Sequence, residues 1–516
     1  MADRAAWRTA DWDVVVVGAG TSGCALAARL ADAGRRVLVL EAGADHREPE
    51  DFPPELRDAA TMAAAGPGHP ANWNLSAALT GDLTVPVPRG RVVGGSSALN
   101  ACSFIRGTRA DFDGWAAAGN DLWSYDAVLP AFRRLESDRD FGDRPVHGNS
   151  GPVPVRRPRG GHPLAEAFAA AAAELGFPDE PDKNADDPPG YGPVPLNVSG
   201  GVRVNAAMAY LSPRRAAPGL TVRGGVQVLR VVVEHGRAVG VETAEGIVRA
   251  AEVVLSAGAV GSPHLLLLSG IGPAGQLRRA GIPVTADVPG VGADFTDHPN
   301  VYVGYRPARE LPPPPGGLPL HGVLHVTSAG SPVPGDLEVL PWLTPFSAIT
   351  GGPDAAHDDE LVVGVGLQRE ASRGQLTLAG ADPLTHPRLE CGYLAEDGDR
   401  RRLREGVRLT VELLRTRALT SLTAGRTGLP DDVLDRDADL DGWIRSHLTT
   451  AVHLSGTARM GPDSDPGAVV DQLLRVRGVE GLRVVDTSVM PQVTLRGPAA
   501  TAVMIGERAA ELMATA

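Results

Sequence analysis

The chain has 516 residues, of which 43% are hydrophobic and 22% are charged, and its formal net charge is −13 at pH 7. This length exceeds what one hydrophobic core usually serves, so we expect two or more domains. A net acidic chain without a polybasic run argues against nucleic acid or an anionic membrane surface as a partner.

The cysteines and the N-terminal residues bear on the cellular setting. Cys24, Cys102 and Cys391 have neither the pairing of a disulfide framework nor the spacing of a metal site, so we expect no metal. The N-terminus lacks a signal-peptide pattern, and no run approaches the roughly 20 apolar residues of a membrane helix. Lys183 is the only lysine, and the bias toward Arg, Ala, Gly and Pro is typical of a GC-rich bacterial genome. We therefore expect a soluble, cytoplasmic bacterial protein without an integral membrane segment, and its oligomeric state is left open.

The N-terminal region predicts a complete β-α-β unit. An apolar β-branched run from Val14 is followed by a Gly-rich turn, a helix with apolar positions three and four apart, and a second apolar run that ends at Glu41. Residues 51–90 are punctuated by Pro and Gly, so we expect them to wrap the first domain without regular structure. Residues 122–136 predict a helix with Ser124 as its N-cap.

Later segments change in character along the chain. Residues 220–259 predict short strands joined by tight turns, and alternating apolar residues at 337–341 and 361–367 predict an antiparallel sheet. Residues 399–416 predict a surface helix with an apolar stripe. The final stretch, from 481 onward, predicts a strand, a turn and a closing helix.

These segments predict a discontinuous first domain with a second domain inserted into it. We assign residues 1–160, 202–300 and 448–516 to a nucleotide-binding domain, and residues 161–201 and 301–447 to a substrate-binding domain. We find no internal repeat.

A G-x-G-x-x-G motif lies between the first strand and the first helix. Gly18 permits the tight turn, Gly20 lets a pyrophosphate approach the backbone, and Gly23 lets the helix pack closely. Glu41 ends the second strand 18 residues after Gly23, where it can accept a hydrogen bond from a ribose hydroxyl. This context favours a dinucleotide site over a plain glycine turn, but the glycines do not distinguish FAD from NAD.

A second Gly-rich segment, "RGRVVGGSSALNACSFIRG" at 89–107, offers backbone donors and hydroxyls to a long cofactor. With it, five ordered motifs resemble the glucose-methanol-choline (GMC) oxidoreductases, FAD-dependent enzymes that act mostly on alcohols. The later four are "SAGAVGSPHLLLLSGIGP" (256–273), "PGVGADFTDHP" (289–299), "HLSGTARMG" (453–461) and "GLRVVDTSVMP" (481–491). In the third motif, Asp294 and Phe295 replace the usual Asn and Leu.

The resemblance implies an α/β fold: a Rossmann-like FAD-binding domain of the GMC and p-hydroxybenzoate-hydroxylase type, with an inserted α+β substrate domain on an antiparallel sheet. It also implies a set of residues that contact the cofactor. These are Gly18, Gly20, Thr21, Ser22, Gly23, Glu41, Ala42, Arg91, Val93, Gly94, Gly95, Ser96, Asn100, Ala101, Val226, Ala257, Gly258, Asp486, Thr487 and Pro498. Some relatives attach FAD through a His in the first signature, but Leu99 occupies that position here, so the resemblance implies non-covalent FAD.

Alcohol oxidation needs a base for the hydroxyl proton and an acceptor for the hydride, which is the flavin N5 in this family. His453 matches the active-site histidine of HxxGTxxMG, and the resemblance implies that it is the base. His447 and His298 are interpreted as structural: His447 lies on an upstream amphipathic stretch, and His298 is expected to fix the loop that enters the insert.

The second catalytic position departs from the family. Relatives commonly carry His or Asn where this chain has Gly497, and often Asn where it has Ala499. We predict that Gly497 opens the site to a bulkier substrate and that Arg496 engages an acidic group. The helix that follows Pro498 would place a partial positive charge near the flavin.

The expected substrate is an alcohol-type small molecule, and the expected electron acceptor is oxygen, a quinone or a redox carrier; we favour a dehydrogenase. The ending "LRGPAAT" is similar to the mycofactocin-associated branch, whose members re-oxidise a glycosylated peptide-derived redox carrier, so a reduced carrier of that type is one candidate substrate. Two alternatives stay open: a non-redox flavoprotein of the lyase or photodecarboxylase type, and an NAD-dependent or purely nucleotide-binding protein.

Overall fold

The computed structural model describes residues 6–351 and 359–515. Its first sheet has seven strands, with parallel pairing through its centre and an antiparallel meander at one edge. In spatial order the strands are Leu220–Arg223, Val37–Leu40, Trp12–Val17, Gly246–Leu255, Arg237–Thr243 and Val228–Glu234, and Leu482–Val484 pairs alongside Gly246–Leu255. The strands predicted within 220–259 are therefore confirmed.

The predicted β-α-β unit is confirmed as the strand Trp12–Val17, the helix Thr21–Asp32 and the strand Val37–Leu40. The two strands pair in parallel, and their valines and leucines are almost completely buried. The closing helix Ala499–Thr515 packs against Thr21–Asp32. This packing brings the end of the chain back to the nucleotide-binding segment.

The second sheet also has seven strands, all antiparallel. Its order is Thr423–Thr427, Pro299–Pro307, Leu361–Leu367, Leu337–Pro341, Gly322–Val326 and Tyr191–Pro193, with Leu448–Thr450 also paired to Pro299–Pro307. The two strands predicted at 337–341 and 361–367 are confirmed as direct neighbours. The residue limits predicted for the two domains stay predictions.

The second sheet has two different faces. On one face, Val301, Val303, Val363 and Val365 are fully buried, and the helix Asp397–Leu414 packs against this side. The other face, here called the inner face, carries the alternate residues, including Tyr302, Glu338 and Leu340, which are only partly covered. Tyr302 and Leu340 pack in one apolar cluster with Ala101 of the second Gly-rich segment. The inner face is therefore turned toward the nucleotide-binding part of the chain.

Two of the helix predictions are confirmed and one prediction is wrong. Ser124 is the N-cap of the helix Tyr125–Leu135, and the predicted surface helix is Asp397–Leu414. The segment 51–90 does form regular structure, because its strands Leu75–Ala78 and Thr84–Val87 join Arg388–Glu390 and Gln375–Thr377 in a four-stranded sheet. Pairing with a partner about 300 residues away overrides the local Pro and Gly pattern.

The remaining regular elements are short or peripheral. The other α-helices are Ala6–Thr9, Pro54–Arg57, Arg109–Ala117, Pro163–Glu174, Gly258–Leu268, Ala274–Arg279, Phe346–Thr350, Arg417–Thr420, Asp431–Asp435 and Asp437–Ser446, with a π-helix at Ala207–Leu211. Two-stranded sheets pair Glu136–Asp138 with Val153–Val155, Val198–Ser199 with Val202–Arg203, and Ile271–Gly272 with Ala286–Asp287. Among the described residues, none of the helices has the length and apolar character needed to cross a bilayer.

A buried cluster of charged side chains surrounds His147. Its Nδ1 lies 2.8 Å from a Glu136 carboxylate oxygen and its Nε2 lies 2.9 Å from Asp182, while Arg157 pairs with Asp138 at 2.8 Å. Both ring nitrogens face carboxylates, so the ring donates twice and is not free to bind a metal ion. The cluster is therefore a hydrogen-bonded ion network within the fold.

Candidate active site

Two glycines, one in the turn after the first strand and one in the second Gly-rich segment, leave no room for a side chain. At Gly18 (φ +100°) an added Cβ would lie 2.5 Å from the Ser256 carbonyl oxygen, and at Gly95 it would lie 2.7 Å from the Gly20 Cα. Gly20 is the N-cap of the helix Thr21–Asp32 and has no side chain to accept from the first-turn N–H groups. These N–H groups therefore face a glycine-lined cradle that suits a pyrophosphate.

Glu41 holds a buried carboxylate at the end of the second parallel strand. It accepts from the N–H of Ala19 at 3.0 Å and from the N–H of Gly43 at 2.9 Å. Burial raises the pKa of Glu41 to about 7, and a ribose hydroxyl donating to it would favour the ionised form. The Val226 N–H donates to the Glu41 carbonyl at 2.9 Å, so the Val226 carbonyl is the group that could meet an adenine.

The second Gly-rich segment is held against the first by backbone contacts. The Gly94 N–H donates to the Ala19 carbonyl at 2.7 Å. The buried guanidinium of Arg203 donates to the carbonyls of Asn100 at 2.9 Å and of Ala98 at 3.1 Å. Arg203 belongs to none of the sequence motifs, yet its side chain fixes the loop that the resemblance places beside the flavin.

Asp486 joins the second signature to the C-terminal strand. Its carboxylate accepts from the Gly258 N–H at 2.9 Å and from the hydroxyls of Ser262 and Ser488, both at 2.5 Å. Burial raises the pKa of Asp486, and these donors oppose that shift. The carboxylate therefore braces the turns around the predicted cofactor site.

The other predicted cofactor residues lie in the same loops, and their contacts with a cofactor stay predictions. They are Thr21, Ser22 and Gly23 in the first turn of the helix, Ala42 beside Glu41, Arg91, Val93, Ser96 and Ala101 in the second Gly-rich segment, Ala257 before the helix Gly258–Leu268, Thr487 after Asp486, and Pro498 before the closing helix.

His453 and His298 form a direct pair. Their Nδ1 atoms are 2.9 Å apart and their rings are nearly perpendicular, at 88°. Asp297 positions both backbones, because one of its oxygens accepts from the N–H of His453 at 2.7 Å and of His298 at 2.8 Å, while the other accepts from the Thr450 hydroxyl at 2.6 Å. His298 occupies Nδ1 of His453, so Nε2 is the ring nitrogen that lies outside this contact.

Gly497 lies against this remaining nitrogen. A Cβ added at Gly497 would be 3.2 Å from His453 Nε2 and 3.3 Å from Cε1. The closing helix begins at Ala499, and the Pro498 carbonyl accepts its first hydrogen bond, from the Ala502 N–H at 2.7 Å. Pro498 is therefore the residue before the helix. Gly497 therefore places no side chain beside His453 Nε2, where the family resemblance implies that relatives carry one.

Arg496 is buried, with 3% of its surface exposed. Its Nη1 donates to the Gly335 carbonyl at 3.0 Å and to the Leu495 carbonyl at 2.8 Å. Burial lowers the pKa of Arg496, and the carboxylates of Glu180 and Asp111 oppose that shift. The guanidinium is thus held by the loop that contains Gly335, and its role toward an acidic substrate stays a prediction.

Both paired histidines are neutral at pH 7. Burial lowers the pKa of His453 to about 4; Asp297 opposes this shift, and the cationic Arg89 adds to it. Burial and the neighbouring His453 ring hold the pKa of His298 well below its usual value. Two neutral rings in Nδ1–Nδ1 contact require one ring to donate. When His453 Nδ1 is the donor in this pair, its Nε2 keeps a lone pair and can accept a proton.

His298 has a larger part in the site than its predicted role of fixing a loop. His298 stands in the Asp-His-Pro sequence of the third motif, but its contact with His453 depends on the register in which two strands pair. Pro299 pairs directly with Thr450. This pairing brings His298, which precedes one strand, beside His453, which follows the other. His447, by contrast, is exposed and stacks on Trp443 with ring centroids 4.4 Å apart, in line with a structural role.

Together, the parallel sheet with its glycine cradle and the neutral histidine pair define a dinucleotide-dependent oxidoreductase. Residues 12–300 and 370–506 match the N-terminal and C-terminal parts of the GMC oxidoreductase family. An uncharacterized GMC-type oxidoreductase of Rhodococcus erythropolis is 41% identical over 516 residues, covering 97% of this chain and 98% of that protein. An oxygen-dependent choline dehydrogenase of Rhizobium etli is 35% identical over 531 residues, covering 97% and 95%.

Solved structures agree with these sequence matches. The crystal structure of pyridoxine 4-oxidase from Mesorbium loti superposes with a TM-score of 0.89 at 31% identity, covering 98% of this chain and 99% of that one. The chain belongs to the GMC oxidoreductase family, and it is an FAD-dependent oxidoreductase of the kind that acts on CH–OH groups. The glycine cradle, the uncapped helix start and the buried carboxylate of Glu41 all fit FAD.

Proposed function

We propose that the protein is a dehydrogenase that oxidises a CH–OH donor with His453 as the base. The observation that carries this proposal is the position of His453 Nε2, which lies against Gly497 with no side chain between them, while Nδ1 contacts His298. When bound, FAD supplies the hydride acceptor at its N5. His453 accepts the hydroxyl proton of the substrate at Nε2.

The histidine pair determines how this proton is taken up. With its own proton donated from Nδ1 to His298, the His453 ring becomes a doubly protonated imidazolium when Nε2 accepts a second proton. A base with a pKa of about 4 is too weak to form a free alkoxide in advance. Proton removal by His453 therefore belongs to the same step as cleavage of the C–H bond.

We also propose that the cofactor is held without a covalent bond. Leu99, at the position where some relatives carry the linking His, is a buried apolar side chain with 4% exposure and no nucleophilic atom. Denaturing the purified yellow protein should release all flavin into the supernatant. Flavin that stays with the precipitated chain would contradict this assignment.

The electron donor and acceptor are proposed from chemical class. The similar proteins are named for choline and pyridoxine, so the panel of donors should span amino alcohols, heteroaromatic alcohols, diols and the reduced glycosylated redox carrier. We favour a quinone or a redox carrier as the acceptor. Fast re-oxidation of the reduced protein by air alone would instead identify an oxidase.

The proposal is tested by anaerobic reduction of the bound flavin with this panel, followed at the flavin absorbance band. His453→Gln should lower the rate of reduction by about 10²- to 10⁴-fold, because it removes the base. His447→Gln is the matched control, since this exposed histidine stacks on Trp443 away from the pair. If no donor of the panel bleaches the flavin, the proposal fails and the non-redox alternative is favoured.

A further inference from the structure

We propose that Glu338 binds a second hydroxyl group of the alcohol substrate, and that buried Lys183 and His325 hold its carboxylate in place for this contact. The inference rests on the proposed function and names its substrate class: diols or polyols, in preference to monoalcohols and amino alcohols. Glu338 is then a specificity residue, and Lys183 and His325 are positioning residues.

Glu338 lies on the inner face, in a row that leads to the catalytic pair. Residues directly opposite each other in an antiparallel sheet share a face, and here Asn300 pairs with Gly366, Gly366 with Glu338, and Glu338 with His325. His298 lies one residue before the first of these strands, and the Arg496 guanidinium is near enough to both His298 and Glu338 to influence the pKa of each. The row therefore extends from Glu338 and His325 to the end of the strand Pro299–Pro307 that follows His298.

Lys183 fixes the tautomer of His325. Its ammonium has three N–H groups and no acceptor, and it donates to the Gly190 carbonyl at 2.6 Å, to His325 Nδ1 at 3.2 Å and to the Glu180 carboxylate. His325 must then carry its proton on Nε2, which lies 3.2 Å from a Glu338 oxygen. His325 therefore donates to Glu338 and fixes one of its two oxygens.

The exposed fractions separate Glu338 from the two residues that hold its carboxylate. The side chains of Lys183 and His325 are both 0% exposed, whereas that of Glu338 is 18% exposed. Burial lowers the pKa of Lys183 to about 8, so it stays protonated at pH 7 and keeps donating. Burial raises the pKa of Glu338, while Arg496 and Lys183 lower it. Glu338 therefore keeps part of its side chain accessible on the inner face, whereas the two residues that hold it are sealed.

Gln368 adds an independent sign of a polar ligand at this place. It is 1% exposed, and within the described part of the chain neither its Oε1 nor its Nε2 has a hydrogen-bond partner. It covers Gly366, because a Cβ added there would lie 2.7 Å from Gln368 Nε2, 3.6 Å from Asn300 Oδ1 and 3.9 Å from Glu338 Cβ. An amide needs both a donor and an acceptor, and a hydroxyl group supplies both.

The local charges favour a neutral hydroxyl over an ammonium group. Two acidic side chains, Glu338 and Glu180, face two basic ones, Lys183 and Arg496, and Asp111 and Arg369 add one of each near Arg496, so acidic and basic groups are equal in number. An ammonium group would add an unpaired charge to this set and would lose its hydration. A hydroxyl group adds no charge and can donate to a Glu338 carboxyl oxygen.

The sheet geometry sets the distance that a substrate must span between the histidine pair and Glu338. The backbones of Glu338 and His298 are about 12 Å apart, because two strand spacings of roughly 4.8 Å and two residues at a rise of roughly 3.3 Å separate them. The histidine and glutamate side chains shorten this gap. Diols with hydroxyl groups at opposite ends of a medium-length chain should therefore fit best.

The test compares α,ω-diols with primary alcohols of the same carbon number in anaerobic flavin reduction by the holoenzyme. We expect the wild type to prefer the diol in kcat/KM at the best length, and Glu338→Leu to lower that preference about 10- to 100-fold. Glu412→Leu on the outer side of the helix Asp397–Leu414 is the matched control. Amino alcohols of equal length form a third arm.

A double variant, Lys183→Met with Glu180→Gln, tests the positioning residues without leaving a buried charge unpaired. It should raise KM for the diol more than KM for the monoalcohol, and FAD content should be retained. Equal losses for both substrates would show a merely structural role and overturn the inference. So would a wild type without diol preference, or one that prefers the amino alcohol. Failure of every alcohol to bleach the flavin would instead refute the proposed function.

Discussion

Substituting Gly497 by Ala tests whether the reacting oxygen occupies the space beside His453. The added Cβ would be 3.2 Å from Nε2 and 3.3 Å from Cε1. A substrate hydroxyl must approach its base to about 2.6–3.2 Å for proton transfer. The methyl group and the hydroxyl would therefore compete for one position, and either the ring or the substrate has to move.

The size of the effect follows from the geometry. A displacement on the order of 1 Å at a reacting centre costs about 10²-fold in rate, which corresponds to about 2.7 kcal/mol of activation free energy. Gly497 is not among the glycines with positive φ, so Ala is compatible with its backbone. We expect Gly497→Ala to keep its FAD and its fold while kcat/KM for the best donor falls about 10²-fold.

The assay is stopped-flow anaerobic reduction of the bound flavin, with FAD content measured on the same sample. Gly442→Ala is the matched control, because an added Cβ meets nothing within 4 Å there on the helix Asp437–Ser446. A Gly497→Ala protein with full FAD and kcat/KM within about twofold of wild type would refute the reasoning. The reacting oxygen would then lie elsewhere, and His453 Nε2 would not be the base.

Three further predictions concern acid, cofactor and stability. The acid limb of kcat/KM should follow the pKa of about 4 of His453, with activity full above that pH and lost below it; a limb near 6.5 would contradict the neutral buried base. Glu41→Gln should weaken FAD binding, seen as flavin lost on gel filtration, and full retention would show that the carboxylate is dispensable. Burial lowers the pKa of His147, but hydrogen bonds to Asp138 and Asp182 raise it to about 10 from an ordinary 6.5. The protonated ring therefore contributes its full stabilisation below pH 6.5, and this contribution is lost as the pH rises through 10. At pH 6 the His147→Asn variant should be about 3–5 kcal/mol less stable in urea unfolding, and equal stability would refute the imidazolium assignment.

Local pattern was sufficient for the elements whose partners lie close in sequence. The β-α-β unit, the strand pair at 337–341 and 361–367 and the N-cap at Ser124 follow from periodicity and capping chemistry. The segment 51–90 was mispredicted because its strands are stabilised by Arg388–Glu390, which no local signal indicates. Family motifs supplied His453 and the glycines of the cofactor site.

Contacts between distant segments could not be predicted in this way. The pairing of His298 with His453 depends on the register of two strands about 150 residues apart. The chain from Lys183 through His325 to Glu338 likewise needs three segments to be placed together. In each case the residue types were visible, but their neighbours are set by sheet register, which the sequence specifies only through the completed core.

Because Lys183 is buried, its chemical modification can report how often the structure around it opens to solvent. It is the only lysine in the chain, and its amine is fully covered in the folded state. An amine-acylating reagent can therefore modify a side chain only in molecules whose subsite has opened. The rate of that single modification would report the free energy of local opening around Glu338, with no background from surface lysines. A bound diol should slow it in proportion to its occupancy.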